Sequence, residues 1–504
     1  MNFICSKASV VASIVAVTLL CGCDTVPTHS QQQNSTREFF LAQAHSANQG
    51  NVMADLWDQG EWNAVLNLDR LGKVALFEGD LDTAGRAFDG AIARIETVYA
   101  DNPSARKARS TFSSEGTKDF KGEPHERAMT FLYRGLIDLS LGDFENARAS
   151  FKAAEFQNTM SQQQNFDSTL PLATWLAGWA SHCAGDEDKA REFYETADRA
   201  MKTYQPDASM PPARAQSRTL VVYEAGTGPG KIGEGKYKEQ LAFQPGVETD
   251  HVCTDVFSDK TGDGCLDFNN ASEEEKRNYL AAIGNHGHGE ASVSYLALTR
   301  GGRQIDSILE GKAQFKTKAN SAAETGADVA QGSLMAANQM SSLANQALSS
   351  GNTQMASADA NAAMIGLGVA AVAGLFSMFS HAASNHAKPA ADTRYWESLP
   401  NRLYVEDKLV SLDEPVKVVY HRYDVPSAEE FTPQLDRQAN GCRLVAVSDG
   451  MSFGQQAHLH GEMAAKEINR VIARNHRRDA AFHNWLITTF GTGGSGSVTA
   501  DKGA

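Results

Sequence analysis

The chain has 504 residues, of which 42% are hydrophobic and 21% charged, so its apolar content excludes a globally disordered protein. Its length favours two or three domains over one. The formal charge of -15 argues against a nucleic-acid-binding protein, which needs a basic face to displace counterions, and we expect no nucleic acid among its partners.

Residues 1–22 have the pattern of an export signal that ends at a modified cysteine. An apolar stretch, too short to span a bilayer comfortably, leads to Leu20-Cys21-Gly22-Cys23. This sequence resembles the lipobox of bacterial lipoproteins, which implies cleavage before Cys23, acylation of its thiol and new amine, and firm anchoring in the lipid bilayer. An ordinary secretory signal is the alternative. By the sorting rule of enterobacteria, Asp24 favours the inner membrane and leaves the outer membrane open. Residues 23–35 are predicted to be a polar tether into the periplasm.

Four further cysteines lie beyond the lipobox, at positions 183, 253, 265 and 442. An even number suits one or two disulfides in an oxidising compartment. Cys253 and Cys265 bracket an acidic, turn-rich segment with little apolar content, and we predict that a disulfide between them restrains it. Cys183 and Cys442 stand in apolar helix and strand contexts, where a buried free thiol is common, and their pairing is left open.

Residues 36–210 contain three copies of one pattern, in which Gly, Gly, Ala, an aromatic residue and Ala recur at offsets of seven, five, four and three. The copies are Gly72, Gly79, Ala84, Phe88, Ala91; Gly135, Gly142, Ala147, Phe151, Ala154; and Gly178, Gly185, Ala190, Tyr194, Ala197. The pattern resembles the tetratricopeptide repeat (TPR), a pair of antiparallel helices. We expect the small residues to permit close helix packing, the second Gly and the following Asp to form the turn, and the aromatic residue to fill the gap between hairpins. One capping helix is predicted over residues 38–62.

The resemblance implies a concave face, built from the first helix of each pair, that binds peptides or proteins. The predicted partner groove consists of Phe77, Leu132, Leu136, Leu139, Trp175 and Trp179. The alternative is that the rest of the chain packs into this apolar groove. This alternative is slightly favoured, because the long C-terminal half of the chain needs a surface to pack against.

Residues 211–315 are predicted to be a mixed strand and loop region that begins with a strand at Thr219–Glu224. The Gly-rich turn that follows superficially resembles a phosphate-binding loop, but Ile232 replaces the magnesium-binding hydroxyl, so we predict a tight turn. Further on, an acidic stretch resembles a calcium-binding loop, with candidate ligands Asp259, Thr261, Asp263 and Asp267. Asn270 replaces the bidentate Glu of such loops, which favours a plain surface turn. No cofactor is required by this interpretation, and calcium is the one candidate.

Residues 316–388 are predicted to form a low-complexity helix followed by an uncharged, Gly-rich segment over residues 362–380. A buried or membrane-surface helix is favoured for the second part, and a membrane span is the alternative. Gly366, Ala370 and Gly374 form a small-residue face that suits close helix packing and oligomerisation.

Residues 389–490 are predicted to be β-rich, with strands near Arg402–Val405, Val416–Arg422 and Cys442–Val447, and residues 491–504 to be disordered. The region opens with Ala-Asp-Thr-Arg-Tyr-Trp-Glu-Ser-Leu-Pro at 391–400. With the lipobox and the repeats, this segment resembles a family of uncharacterised proteobacterial lipoproteins that carry Asp-x-Arg-x-Trp-x-x-Leu-Pro. The resemblance implies a role in envelope assembly, because some members are encoded beside a lipoprotein that activates peptidoglycan synthases.

The predicted fold is therefore mainly α: a TPR-type array of helical hairpins, a long Ala/Ser-rich helix and a small β-rich C-terminal part. The predicted function is that of a membrane-anchored bacterial lipoprotein, a non-enzymatic scaffold for a protein partner in the cell envelope. Two alternatives stay open, a membrane-inserting or oligomerising envelope component and an enzyme of unrecognised class.

Overall fold

A computed structural model describes most of the helical and strand regions of the chain. The described residues are 29–96, 118–159, 170–204, 210, 215–228, 230–238, 240–244, 251–255, 272–274, 289–292, 391–421, 429–431, 433–448 and 465–491, with isolated positions between 316 and 342 and at 377. The described part is mostly helical, with a small sheet that includes the C-terminal strands, as predicted.

Two helices precede the repeated pattern, α1 (His29–Leu41) and α2 (Ala47–Gln59). A single helix was predicted over 38–62, but Ser46 starts a new one, because its hydroxyl accepts the Gln49 N–H at 3.1 Å as an N-cap. The first helix begins at His29, so regular structure starts inside the predicted tether.

Three helical hairpins follow the short 3-10 turn Gly60–Asn63, and each matches one copy of the repeated pattern. The pairs are α3 (Ala64–Phe77) with α4 (Leu81–Glu96), α5 (Pro124–Ser140) with α6 (Phe144–Thr159), and α7 (Pro171–Cys183) with α8 (Glu187–Tyr204). Pro124 and Pro171 stand in the first turns of their helices, where the missing N–H has no cost.

The repeated Gly-Asp dipeptide forms each hairpin turn, as predicted. Gly79, Gly142 and Gly185 have φ values of 79°, 76° and 80°, a conformation that only glycine adopts without strain. In the first hairpin the Asp80 N–H donates to Ala75 O at 2.9 Å, and the Asp80 carboxylate accepts the Thr83 N–H at 3.2 Å. One dipeptide thus ends the first helix and caps the second.

Ten strands are described, and five of them form the main sheet in the order β5-β6-β1-β10-β9. In chain order they are β1 (Thr219–Ala225), β2 (Gly230–Glu234), β3 (Gln240–Gln244), β4 (His251–Asp255), β5 (Gly289–Ser292), β6 (Arg402–Lys408), β7 (Lys417–His421), β8 (Glu429–Phe431), β9 (Leu435–Ala439) and β10 (Cys442–Ser448). The pair β2-β3 and the triplet β4-β7-β8 form smaller sheets. The predicted strands are all present. Regions 211–315 and 389–490 were predicted as separate, but both contribute to the main sheet.

The central strand β1 is parallel to β10 and antiparallel to β6. Leu220 and Val222 on one face join the apolar core of the helices, whereas Val221 and Tyr223 on the other face belong to a second cluster. Both faces of β1 are covered, which explains why its sequence is continuously apolar instead of alternating.

A last helix, α9 (Ala465–Phe490), closes the N-terminal end of the helical region. Its Asp479 accepts the Glu61 N–H at 3.2 Å, and its His483 stacks on Trp57 with ring centroids 3.9 Å apart. Phe482 is buried in the common core. The sequence analysis predicted a β-rich region up to residue 490 and missed this helix.

Among the described residues, no helix combines the length and the apolar character that crossing a membrane requires. The segment 362–380 lies outside the described residues except for Ser377, which is helical and buried. Gly366, Ala370 and Gly374 are also outside them, so their role in packing stays a prediction.

Candidate functional site

The inner face of the hairpins, formed by α3, α5 and α7, is filled by the chain itself. The residues of the predicted partner groove are all at most 5% exposed: Phe77, Leu132, Leu136, Leu139, Trp175 and Trp179. They share one core with Leu220, Leu403 and Leu444 of the main sheet and with Trp396. The groove is therefore an internal interface in this structure, which agrees with the alternative that had the small preference.

The repeated glycines on the inner helices each make room for an aromatic ring. A Cβ placed on Gly72 would lie 2.8 Å from the Phe88 ring, and Gly135 faces Phe151 in the same way, at 2.6 Å. The aromatic residue thus packs within its own hairpin. Phe88 also stacks on Tyr133 of the next hairpin at 5.8 Å, so the predicted filling between hairpins is only part of its role.

Residues 391–401, which we call the docking segment, lie against this inner face without forming a helix or strand. Trp396 is 1% exposed, and its ring lies 5.7 Å from Tyr133. Its backbone N–H donates to Glu126 Oε1 at 2.6 Å, and its indole N–H donates to Ser398 Oγ at 2.8 Å. A buried indole that finds a polar partner loses little on leaving water, so Trp396 serves as the apolar anchor of the segment.

Arg394 anchors the other end of the docking segment by polar contacts. Its guanidinium is 1% exposed and donates to Asn63 Oδ1 at 2.6 Å, to Lys118 O at 2.7 Å and to the neighbouring Asp392 carboxylate. It also lies 4.7 Å above the Trp62 ring. Burial opposes ionisation of Asp392, but the adjacent Arg394 outweighs it and holds the pKa of this carboxyl below its usual range. Asp392 and Arg394 therefore form an ion pair within the docking segment.

Lys73 and Glu224 join the first hairpin to the main sheet. Their ion pair is 2.8 Å long with both side chains buried. The Tyr133 hydroxyl donates to the same carboxylate, and Lys73 also donates to the Ser398 carbonyl of the docking segment. Burial and the nearby Glu224 raise the pKa of Tyr133 well above its ordinary value, so the phenol stays a donor.

Glu126 connects three parts of the chain at the start of α5. Its carboxylate accepts the Glu123 N–H in a capping box, the Trp396 N–H, and the Lys231 ammonium at 3.0 Å. Burial disfavours its charge, but Lys231, the neighbouring His125 and the two accepted backbone N–H groups together hold the pKa of Glu126 below normal. Lys231 also contacts Glu123 at 3.1 Å, and these two carboxylates raise the pKa of Lys231 despite its burial.

The Gly-rich turn after β1 therefore holds an internal ion pair, which agrees with the predicted tight turn. The lysine of the phosphate-loop-like pattern, Lys231, is neutralised by carboxylates. Gly228 donates its N–H to Leu399 O at 2.6 Å, and a Cβ at this position would lie 2.7 Å from that oxygen. Only glycine permits this approach of the turn to the docking segment.

Two further buried carboxyls, those of Glu397 and Asp69, lie near the ion pairs of Lys73 and Lys231. Glu397 of the docking segment pairs with Arg70 at 2.8 Å, yet burial raises its pKa. Asp69 accepts the Thr130 hydroxyl at 3.0 Å, and its burial raises its pKa well above the usual value. A raised pKa means that these groups bind a proton more tightly in the folded protein than in the unfolded chain.

A disulfide joins Cys183 at the end of α7 to Cys442 at the start of β10, with Cα atoms 6.0 Å apart. The sequence left the pairing of these two cysteines open. They are not free thiols in the structure, because the last hairpin and the main sheet bring them together. Next to it, the two nitrogens of His182 contact Glu187 at 2.9 Å and Ser217 O at 2.9 Å, which fixes the same junction by polar contacts.

Several predicted site residues lie outside the described residues. Cys265 and the four candidate calcium ligands, Asp259, Thr261, Asp263 and Asp267, are among them, so the disulfide from Cys253 and the calcium site stay predictions. Cys253 itself lies in β4, opposite Val419 of β7. Within the part of the chain that is described, no cluster of three or more metal-binding side chains occurs. Cys23 also lies outside it.

Chemically, the inner face binds an extended chain segment through its main-chain atoms, two anchors and paired charges. Sequence reasoning had singled out both contributing motifs, 391–400 and the turn after Tyr223. It missed Glu126, Arg70 and Glu397, because other charged residues stand near each of them in the sequence and nothing local shows which ones become buried. Comparison with protein-family models, with curated proteins and with solved structures finds no match for this chain.

Proposed function

We propose that the chain is a membrane-anchored lipoprotein of the bacterial envelope that acts as a scaffold for a protein partner, built on a TPR-type helical array. The lipobox before Cys23 supports the anchor. The disulfide between Cys183 and Cys442 supports export, because such bonds persist in oxidising compartments and are rare in the cytosol.

One observation carries the scaffold proposal: the inner face already holds an extended segment as peptide-binding arrays hold their ligands. Glu126 accepts a main-chain N–H and Lys73 donates to a main-chain carbonyl, while Trp396 and Arg394 occupy separate buried sites. Since the chain's own segment fills this face, the partner contacts the outer surface of the array. The buried charges pair with one another, which supports a structural role for them.

Photo-crosslinking in intact cells tests the scaffold. A photoreactive phenylalanine derivative replaces Lys152 or Phe156, both exposed on the outer face of α6, and in a matched control it replaces the buried Trp175. We expect the same discrete envelope protein to be crosslinked from both exposed positions and no adduct from Trp175. Adducts from neither exposed position, or from Trp175 alone, contradict the proposal.

The anchor has its own test. Cys23→Ser should abolish metabolic labelling of the protein with fatty acid and leave the precursor uncleaved or released from the membrane. Continued labelling of this variant overturns the assignment of Cys23. The matched control is Cys21→Ser, which retains the modified cysteine and should still be labelled.

A further inference from the structure

The first half of α9 concentrates positive charge in an acidic chain. Between positions 466 and 478 the one acidic residue is Glu467, whereas the whole chain has a formal charge of -15. The basic residues of this stretch are Lys466, Arg470, Arg474, Arg477 and Arg478. Positions three or four residues apart lie on one side of a helix, and α9 is helical over Ala465–Phe490. The first four basic positions therefore follow one side of α9, and we call them the basic strip.

The second half of α9 shows that this side of the helix faces solvent. Phe482 and Leu486 are buried in the common core. Ala481 and Asn484, on the opposite side of the helix, are exposed. Arg477 stands four residues before Ala481 and seven before Asn484. The basic strip thus continues the exposed side of α9 toward the start of the helix.

The basic strip and the predicted lipid anchor have comparable reach from the point where α1 meets α9. At that point the rings of Phe40 and Phe490 lie 6.1 Å apart. A rise of about 1.5 Å per residue carries α9 over about 36 Å from Phe490 to the first position of the strip. From Phe40, α1 runs about 17 Å back to its start at His29, and residues 23–28 span at most about 20 Å more. A bilayer that holds Cys23 is therefore within range of the strip.

We infer that the basic strip binds the anionic phospholipid headgroups of the bilayer that holds the acyl chains, an inference that rests on the proposed anchor. Each Lys or Arg close to an anionic bilayer strengthens binding about 5-fold. The acyl chains keep the strip near the surface at a high effective concentration, so this attraction is enough to hold it there. The rest of the chain is acidic and is repelled by the same headgroups, which favours contact at the strip. This second contact fixes the orientation of the helical body on the membrane.

Vesicle sedimentation tests the inference. The protein used is residues 23–504 with Cys23→Ser, so that no acyl chain contributes to binding. Vesicles of phosphatidylcholine mixed with phosphatidylglycerol are compared with vesicles of phosphatidylcholine alone. We expect this protein to bind the acidic vesicles only, and to bind them more weakly as the salt concentration rises. Arg470→Gln/Arg474→Gln/Arg477→Gln should lower the affinity for the acidic vesicles about 100-fold.

Two further variants control for total charge and for folding. Lys189→Gln/Arg191→Gln/Arg199→Gln removes the same charge from exposed positions of α8 and should leave the affinity for acidic vesicles unchanged. Lysine at the three substituted positions of the strip retains the charge and should also leave it unchanged.

Unchanged binding by the glutamine variant of the strip overturns the inference, and so does an equal loss in the α8 variant or in the lysine variant. Acidic vesicles that stay unbound also overturn it, and this result is expected if the strip binds an acidic protein instead. Equal binding to both kinds of vesicle excludes recognition of anionic headgroups. An error in the proposed anchor is detected separately, by fatty-acid labelling of Cys23→Ser in cells, because the vesicle experiment contains no acylated protein.

Discussion

Lys73 on the first inner helix and Glu224 on the central strand form an ion pair of 2.8 Å with no more than 1% of either side chain exposed. This pair, with the Tyr133 hydroxyl and the Ser398 carbonyl, joins three parts of the chain that are distant in sequence. A buried charge that loses its partner has no water to replace it, so both members of such a pair are needed together.

We expect Lys73→Met to lower the free energy of unfolding by about 3–5 kcal/mol, because it leaves Glu224 charged and buried without its counterion. The double variant Lys73→Met/Glu224→Met should be more stable than the single one. Urea denaturation measures both. The control is Arg37→Met, which breaks the exposed pair with Asp58 and should cost less than about 1 kcal/mol. Equal costs for the Lys73 and Arg37 variants would show that the pair is not buried.

Trp179 gives a test of whether the predicted groove is internal. The ring is 1% exposed and stacks on Trp175 with centroids 6.1 Å apart. Trp179→Ala should therefore destabilise the protein by about 3–5 kcal/mol, as expected for a large core residue. The control is Phe156→Ala, whose ring is 53% exposed and whose loss should change stability little. A Trp179 variant of unchanged stability would place the ring on an open surface.

The three turn glycines differ in one respect that sequence does not reveal. A Cβ on Gly79 or Gly185 would meet nothing within 4 Å, whereas one on Gly142 would lie 2.6 Å from Asn440 at the β9–β10 turn. Alanine at Gly79 or Gly185 should cost about 1–2 kcal/mol through the left-handed backbone alone. Gly142→Ala should cost about 1–3 kcal/mol more, because the β9–β10 turn must move away from the added methyl group. Thermal or chemical unfolding of the three variants checks this order, and equal costs contradict the docking of the β9–β10 turn.

The burial of His125 leads us to expect that the free energy of unfolding falls in mild acid. Burial lowers its pKa from 6.5 to about 4, so the unfolded chain takes up a proton in this range and the folded one does not. Its contribution, about 3 kcal/mol, is therefore present above pH 6.5 and is lost as the pH falls toward 4. Urea unfolding of wild type and His125→Gln across this range should show a smaller loss in the variant.

The contribution of Asp138 to stability changes with pH in the opposite direction to that of His125. Burial raises its pKa from 3.8 to about 6, although Arg134 opposes the shift. The folded state then holds the proton more tightly, so this contribution is present at low pH and is lost as the pH rises through 6. Asp138→Asn should make the acid loss of stability steeper than in wild type. Parallel pH profiles for both variants and wild type would refute the two assignments.

The helical hairpins were predictable because their information is local. Gly-Asp turns, small residues at fixed offsets and apolar inner positions all act within about 30 residues of each other. Strands β1, β6, β7 and β10 were predicted from β-branched content. Helix α9 was missed, although Phe482, Leu486 and Phe490 are spaced by four, because the segment was grouped with the strands before it.

The site could not be assembled from sequence because its contacts join distant positions. Glu126 and Trp396 are far apart in the chain, and so are Lys73 and Glu224. Composition marked 391–400 and the turn after Tyr223 as unusual, but nothing local indicated that they meet. The pairing of Cys183 with Cys442 was hidden for the same reason, since apolar surroundings are shared by buried thiols and buried disulfides.

The docking of residues 391–401 on the inner face is the central claim, and hydrogen–deuterium exchange of the full chain tests it most directly. This segment has no helix or strand to protect its amides. Its burial slows exchange, and so do single hydrogen bonds: the Trp396 N–H donates to Glu126, the Arg394 N–H to Asp392 and the Leu399 N–H to the Trp396 carbonyl. We expect a peptide that covers 394–401 to exchange as slowly as the core of α5. Exchange at the rate of an unstructured chain would contradict the account.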